Sequence, residues 1–454
     1  MTVTLPPNHS EAAIELLKFP KFGKGIGLHR MLWLIDQMKQ ELWWRNLDVL
    51  KVTGSKGKGS TSALCSSILS RLGLQVGLFT SPHLLRFNER INLAGKDISD
   101  EDLTKSWTWF RNIAAAYRVT NPSDSFGAFE AFTAVAFEAF ARHNLAAVVC
   151  EAGIGGRYDS TRPLPGKTVA LTSIELEHAE LLGSTTEQIA YDKADLCPSG
   201  GTLVVGRLDR ELIRRLKGYC RIRSVSLLEV ELQSDISDVH YVDHRMEFTL
   251  SCIGLNFGRV STPLLGEHQA GNVAVAIAAT WDWLSRNRPD IHKERFKASV
   301  IEGIAGVHWP GRLQRIMENP DIVIDVGHTP QSMRSIASTV QEVYPGRPIA
   351  LLTGVSKDKN VKSVLSELAP LASAIICTRP YHKGAPANEV ADICRQLRPE
   401  IEVIAKENIE EAVNVAINYA LPSNMVILVA GGLFLAIEAM VAIQGGDPSV
   451  LKFA

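Results

Sequence analysis

Val52-Thr53-Gly54-Ser55-Lys56-Gly57-Lys58-Gly59-Ser60-Thr61 is the stretch whose reading decides the fold. Leu50 and Val52 lead into it as a short apolar strand, and Leu64, Ile68 and Leu72 follow at four-residue spacing, the stripe of a helix. Gly73 stands where a left-handed cap would end that helix. The glycines therefore sit between a buried strand and a helix N-terminus, where backbone N–H groups point outward and the helix dipole favours an anion. Gly54, Gly57 and Gly59 let the backbone approach phosphate oxygens, Lys58 adds a point charge, and Ser60 or Thr61 is placed to reach a magnesium ion. The spacing departs from the usual phosphate loop, because Lys58 follows Gly54 closely and Gly59 intervenes before Ser60. A turn that binds nothing has little use for a lysine between glycines, so phosphate binding is expected.

At 454 residues the chain exceeds one ordinary core, and two or three domains are expected. Hydrophobic content of 46% and charged content of 21% are those of a globular protein. A net charge of −1 implies no polyanion-binding surface, so no nucleic-acid partner is expected. No apolar run approaches the length of a membrane span, and Met1 to Ser10 lacks the basic-then-apolar pattern of a secretory signal. The seven cysteines are odd in number and spread without metal-ligand spacing, which fits reduced core thiols in a cytoplasmic protein, taken here as a monomer.

Upstream of the glycine stretch the pattern is helical from Glu11 to Trp44, broken at Phe22 to Gly27, with its second half over Leu28 to Glu41. Downstream, a strand Val76 to Thr80 runs into the apolar loop Ser81 to Arg90, and helices fill Asp100 to Arg118 and Gly127 to His143. A strand Ala146 to Cys150 opens into Glu151-Ala152-Gly153-Ile154-Gly155-Gly156-Arg157, and a strand Thr168 to Ile174 ends near His178. Ser184 and Glu187 read as the capping box of a helix from about Thr185 to Cys197. Strands alternating with helices predict a doubly wound, mainly parallel sheet, with an antiparallel edge over 220–262 and an apolar helix over Gly266 to Arg286. A boundary near Gly303 to Pro310 divides the chain into domains 1–305 and 306–454, the second a smaller Rossmann-like α/β domain in which the alternation restarts.

Ligands gather outside the carboxyl ends of strands in such sheets. Lys58, Ser81, Glu151 and His178 all fall at strand ends. Glu151 is a reasonable ligand for a hard cation such as Mg²⁺, or else a surface acid capping the next turn, and His178 is a metal ligand or a loop histidine.

At this point the chain resembles the folylpolyglutamate synthase and dihydrofolate synthase family of Mur ligases, from about Leu28 to Ala439. The motifs that carry the resemblance occur in order: Gly57 to Ser60, Thr80-Ser81-Pro82-His83, Phe129-Glu130-Ala131-Phe132-Thr133, Glu151 to Thr161, Thr172 to His178, Ile189 to Ala194, Trp309 to Gln314, Asp325 to Pro330 and Gly354 to Lys359. The resemblance implies an ATP-dependent amide ligation in which a folate-type acid is activated as an acyl phosphate and attacked by L-glutamate. It places ATP phosphates on Lys58 and Ser60, magnesium on Ser81, Glu151 and His178, and a second magnesium on a carbamylated Lys193. It puts His268, Gln269 and Asn272 beside the nucleotide, with Asn272 at the base, Arg312 on the phosphates, Asp325 on the ribose and His328 near the transferred group. The chain departs from the family at Ser55-Lys56, Glu175, Glu177 and Val326-Gly327, which leaves a related ligase of a non-folate acid as the alternative. A non-catalytic nucleotide switch would not need Glu151, Lys193 and His328 together. Phe22, His83 and Phe87 are expected to offer faces to a pterin, and no buried carboxylate is evident beside them.

Overall fold

The computed structural model describes residues 10–38 and 42–451. The strand leading into the glycine loop is β1 (Val49–Thr53), buried along its whole length, and the helix Lys58–Arg71 follows the loop. Around it lie β2 (Val76–Phe79), β3 (Ile91–Leu93), β4 (Lys96–Asp97), β5 (Ala147–Glu151), β6 (Thr168–Leu171), β7 (Thr202–Val205) and β8 (Ser226–Glu229). Their order is β4-β3-β2-β5-β1-β6-β7-β8, parallel from β2 to β8, with an antiparallel β3–β4 edge. The central strands are apolar on both faces because helices cover both. Leu50, Val52 and Val149 pack with Leu64 and Ile68 on one side, and Val49, Val148 and Phe79 with Phe132 and Phe140 on the other. This is the doubly wound sheet the sequence implies.

Residues 220–262 correct the expectation of an antiparallel edge. The helix Arg210–Ile222 takes the first residues and β8 closes the main sheet as a parallel strand, while β9 (Ser234–Val242), β10 (Arg245–Cys252) and β11 (Leu255–Thr262) form a separate antiparallel sheet. The reason lies in the helix Glu267–Asn287, which is apolar nearly all round and so must be covered on both sides. Met246, Phe248, Leu250 and Cys252, alternate residues of β10, supply one such cover.

Two local expectations shift. The helix Thr186–Ala194 is capped by Thr185 with Gln188, one residue later than Ser184 and Glu187. Glu187 instead accepts a hydrogen bond from the Tyr191 hydroxyl at 2.6 Å. The N-terminal helical stretch divides into Glu11–Leu17, His29–Met38 and Leu42–Arg45, and Glu41 lies outside the described residues.

The second alternation builds β12 (Gln314–Glu318), β13 (Asp321–Ile324), β14 (Ile349–Thr353), β15 (Ala374–Thr378), β16 (Glu402–Lys406) and β17 (Val426–Val429). Their order is β12-β13-β17-β14-β15-β16, parallel except for the β12–β13 pair. All seven cysteines are buried and free, and among the described residues no helix is long and apolar enough to cross a membrane.

Candidate active site

The carboxyl ends of β2, β5, β1 and β6 stand side by side. The glycine loop after β1 is braced by the end of β6. The Ser55 N–H donates to the Ser173 carbonyl (2.9 Å), the Lys56 N–H to Ser173 Oγ (2.9 Å), and the Thr172 hydroxyl to the Lys56 carbonyl (2.5 Å). Gly57 caps the helix with φ +80°, and a Cβ there would meet Asn272 Oδ1 at 2.4 Å. A Cβ on Gly59 would meet the Trp309 ring at 2.4 Å, so the indole lies directly on the loop. Ser60 and Thr61 are buried in the first helical turn, and Thr61 Oγ1 has no partner among the described residues.

Lys58 and Lys193 converge on one acceptor, since their Nζ atoms donate to the Gly54 carbonyl at 2.9 and 3.1 Å. Lys193 is buried and also pairs with Glu177 at 2.9 Å. Burial, and then the charge of Lys58, hold its amine below the usual lysine range.

β5 includes Glu151 as its last residue instead of stopping before it. Glu151 is buried, and its Oε2 accepts the Ser81 N–H at 3.0 Å. Burial raises this carboxyl above the usual glutamate range, against the opposing pull of Lys58, the Ser81 N–H, Arg312 and Arg90. Arg90 is itself buried, which brings it down to about 10, and its Nε donates to His83 Nδ1 at 2.8 Å. The turn after Glu151 is gathered by two carboxylates. Asp159 accepts from the Gly153, Ile154 and Thr161 N–H groups at 2.9, 3.1 and 2.9 Å, and Asp192 from Gly156 N–H at 2.9 Å.

Ser81 and Glu151 thus meet, and among the described residues His178 makes no hydrogen bond to either. It is exposed at φ +46° ahead of the short helix Ala179–Leu182, with Nδ1 4.0 Å from Glu180. Among the described residues no three His, Cys, Asp or Glu side chains converge.

The second sheet contributes from the opposite side. Arg312 is half-buried, with Nη1 3.3 Å from the Gly311 carbonyl, and its charge acts on Glu151, Asp325, His268 and His328. Asp325 accepts Leu313 N–H (3.0 Å) on one oxygen and Gly327 N–H (2.7 Å) on the other, so its carboxylate ties together the loops carrying Arg312 and His328. The His328 imidazole opens to solvent on one side. Desolvation by the surrounding cleft, followed by Lys56 and the more distant cations, holds it down at about 4. Asn272 is buried against Gly57 and donates to Gln269 Oε1 at 2.9 Å, while His268 Nδ1 lies 3.1 Å from Ser335 Oγ.

Comparison with known proteins matches residues 129–280 to the Mur ligase middle domain and residues 311–433 to the Mur ligase glutamate ligase domain. The chain is 28% identical to the dihydrofolate synthase/folylpolyglutamate synthase of Bacillus subtilis, over 91% of this chain and 94% of that protein. It is 26% identical to the folylpolyglutamate synthase of Lacticaseibacillus casei, over 97% and 99%. The folylpolyglutamate synthase of Mycobacterium tuberculosis, solved with ADP and AMPPCP, matches with a TM-score of 0.82 at 25% identity, over 96% of this chain and 99% of that one. The chain belongs to the folylpolyglutamate synthase and dihydrofolate synthase family of Mur ligases.

Several groups that shape this Mur ligase cleft escaped sequence reasoning. Thr172 and Ser173 brace the glycine loop, Asp159 and Asp192 fix the turn after Glu151, and Trp309 covers Gly59. Asp159 and Asp192 lie inside quoted motifs, but only folding brings their carboxylates to the turn. The expected pterin faces need correction. Phe87 is wholly buried, edge-on to Phe132 at 5.0 Å, and His83 is buried against Arg90, so of the three only Phe22 keeps an exposed face. The loop's own carboxylate, Glu89, is only half-buried and accepts the Leu84, Leu85 and Arg86 N–H groups at 2.6, 2.8 and 2.7 Å, which occupies it structurally.

Proposed function

We propose that this chain is an ATP-dependent ligase that joins the α-amino group of L-glutamate to a folate-type carboxylate. The observation that carries the reading is the convergence of Lys58 and Lys193 on the Gly54 carbonyl, at a braced glycine loop whose neighbouring strand ends on Glu151. A carboxylate oxygen of the acid attacks the γ-phosphorus of ATP, the bond to the β–γ bridging oxygen breaks and ADP leaves. The glutamate amine then attacks the acyl carbon, gives up a proton, and inorganic phosphate leaves. Lys58 and the loop N–H groups offset phosphate charge, and Arg312 adds a cation from the second sheet. His328, neutral at pH 7, contributes a hydrogen bond rather than a charge. Closure of residues 306–454 onto 1–305 excludes water from the acyl phosphate in a monomeric, cytoplasmic protein.

Magnesium supplies charge neutralisation on the transferred phosphoryl group when bound. Glu151, Ser81 and the hydroxyl of Ser60 or Thr61 are oxygen donors that fit it, and the orphaned Thr61 Oγ1 is consistent with such a role. We assign a second ion to His178 and a Lys193 carbamate, formed when the neutral amine adds to carbon dioxide and releases a proton. The lowered proton affinity of Lys193 supports this, and a mass increment of the carbamate on intact protein at high bicarbonate tests it.

The deciding experiment measures L-glutamate-dependent ADP release with dihydropteroate and with tetrahydrofolate. Release with either is expected. Turnover with another carboxylic acid and with neither pterin replaces the folate reading by a non-folate Mur ligase, the alternative that the sealed His83 and Phe87 favour.

A further inference from the structure

We infer that His244, at the tip of the small antiparallel sheet, is a positioning residue that sets the reach of Arg312 toward the nucleotide; the inference rests on the ligase reading above. β9 and β10 are joined by the two-residue turn Asp243-His244, with φ of +48° and +59°. A turn with both central residues left-handed favours glycine at its second position, and a side chain there carries strain. Histidine occupies it, and its ring makes two bonds outside its own sheet. Nε2 lies 3.0 Å from the Leu313 carbonyl and Nδ1 lies 3.1 Å from the Tyr344 hydroxyl. A carbonyl only accepts, so Nε2 carries the proton and Nδ1 accepts from the Tyr344 O–H, which makes both bonds those of a neutral imidazole.

The receiving residue is strained as well. Leu313 is a buried, bulky side chain at φ +43°, a conformation that leucine holds only when its surroundings impose it. They do so from both ends of the residue: Asp325 Oδ2 accepts the Leu313 N–H at 3.0 Å, and His244 donates to its carbonyl. Leu313 directly follows Arg312, whose own tether among the described residues is a 3.3 Å bond to the preceding Gly311 carbonyl. The direction in which the guanidinium leaves the backbone is therefore fixed by the two clamps on its neighbour. One clamp, Asp325, belongs to the second sheet. The other, His244, belongs to the sheet that rides on the helix Glu267–Asn287, so the bond spans the two halves of the cleft.

His244→Gly separates positioning from stability, because glycine relieves the left-handed turn while removing the clamp. Binding of AMPPCP by titration calorimetry, and the KM for ATP in glutamate-dependent ADP release, are measured for wild type, His244→Gly, His244→Gln, Arg312→Ala and the double variant His244→Gly/Arg312→Ala. The expected result is a thermal midpoint for His244→Gly equal to or above wild type, with AMPPCP binding and kcat/KM for ATP weakened about tenfold. His244→Gln, which keeps an N–H for the Leu313 carbonyl, recovers most of that loss. In the Arg312→Ala background His244→Gly adds nothing further. Unchanged AMPPCP affinity in His244→Gly, or a full additional loss in the double variant, overturns the proposal. Weakened AMPPCP binding in a protein that ligates neither pterin supports the clamp while removing the folate reading.

Discussion

At the carboxyl edge of the first sheet the loops are tied to one another. Ser55 and Lys56 hang from Thr172 and Ser173, Glu151 holds Ser81, and Asp159 and Asp192 gather the turn after β5. Across the cleft, among the described residues, Arg312 and His328 reach only backbone carbonyls close in sequence, at 3.3 and 3.4 Å, and depend on Asp325 and His244 gripping the chain beside them. One wall is a finished cradle whose donors need not reorganise when phosphate arrives, which is where electrostatic stabilisation is largest. The other wall delivers charges whose aim is set indirectly, through the backbone. Damage to the cradle should therefore cost rate outright, and damage to the facing wall should cost mainly nucleotide affinity.

The largest effect is expected at Lys58. Lys58→Ala should lower kcat by about 1,000-fold with an unchanged thermal midpoint, since among the described residues its ammonium bonds only to the Gly54 carbonyl, which keeps Lys193 as a donor. A variant within tenfold of wild type would break the distinction between the walls. Glu151→Gln comes next. Glutamine can still accept the Ser81 N–H, so the fold stays, while loss of the charge is expected to cost about 100-fold in kcat and to abolish the response to added magnesium. Retained magnesium activation would show that the cation is held elsewhere. Gly59→Ala sharpens the comparison, because its Cβ would strike Trp309, which joins the two walls. The KM for ATP should rise about tenfold with kcat little changed, read from initial rates across ATP concentrations.

The smallest effect is a slope. His268 and His328 are both held at about 4, below the ordinary 6.5, so the native state binds fewer protons than the unfolded chain between those values. Both residues are surface-exposed, so solvent screening keeps the effect small. Their contribution to stability is complete above pH 6.5 and is lost as pH falls towards 4. Urea midpoints at pH 7 and pH 4.5 should therefore drop less in His268→Gln/His328→Gln than in wild type. Equal drops would place the acid sensitivity in other groups.

How far the sequence foretold this depends on the range of the interaction concerned. The turn from β1 to the helix Lys58–Arg71 was legible because strand, glycines, lysine and four-residue stripe are adjacent. The second alternation was legible for the same reason, since each of its strands and helices is a short local run of one period. The cap of Thr186–Ala194 slipped by one residue because Ser184/Glu187 and Thr185/Gln188 are equally good local patterns, and only geometry chooses. The bond from Lys56 to Ser173 joins residues 117 apart, which no local pattern can announce. Alternation in β10 correctly marks a one-faced strand but is silent on which sheet takes it. Phe87 was misjudged because an apolar loop that lines a ligand and one that plugs a core have the same composition.

Trp309 has an optical consequence. Its ring lies against Gly59, and its Nε1 is buried without a partner among the described residues. An indole so shielded emits towards the blue, and a nucleotide arriving at the glycine loop must change what surrounds it. The chain holds eight tryptophans, so the signal is the difference between wild type and Trp309→Phe. That difference spectrum, followed as AMPPCP is added, would time the filling of the cradle from within, with no label attached.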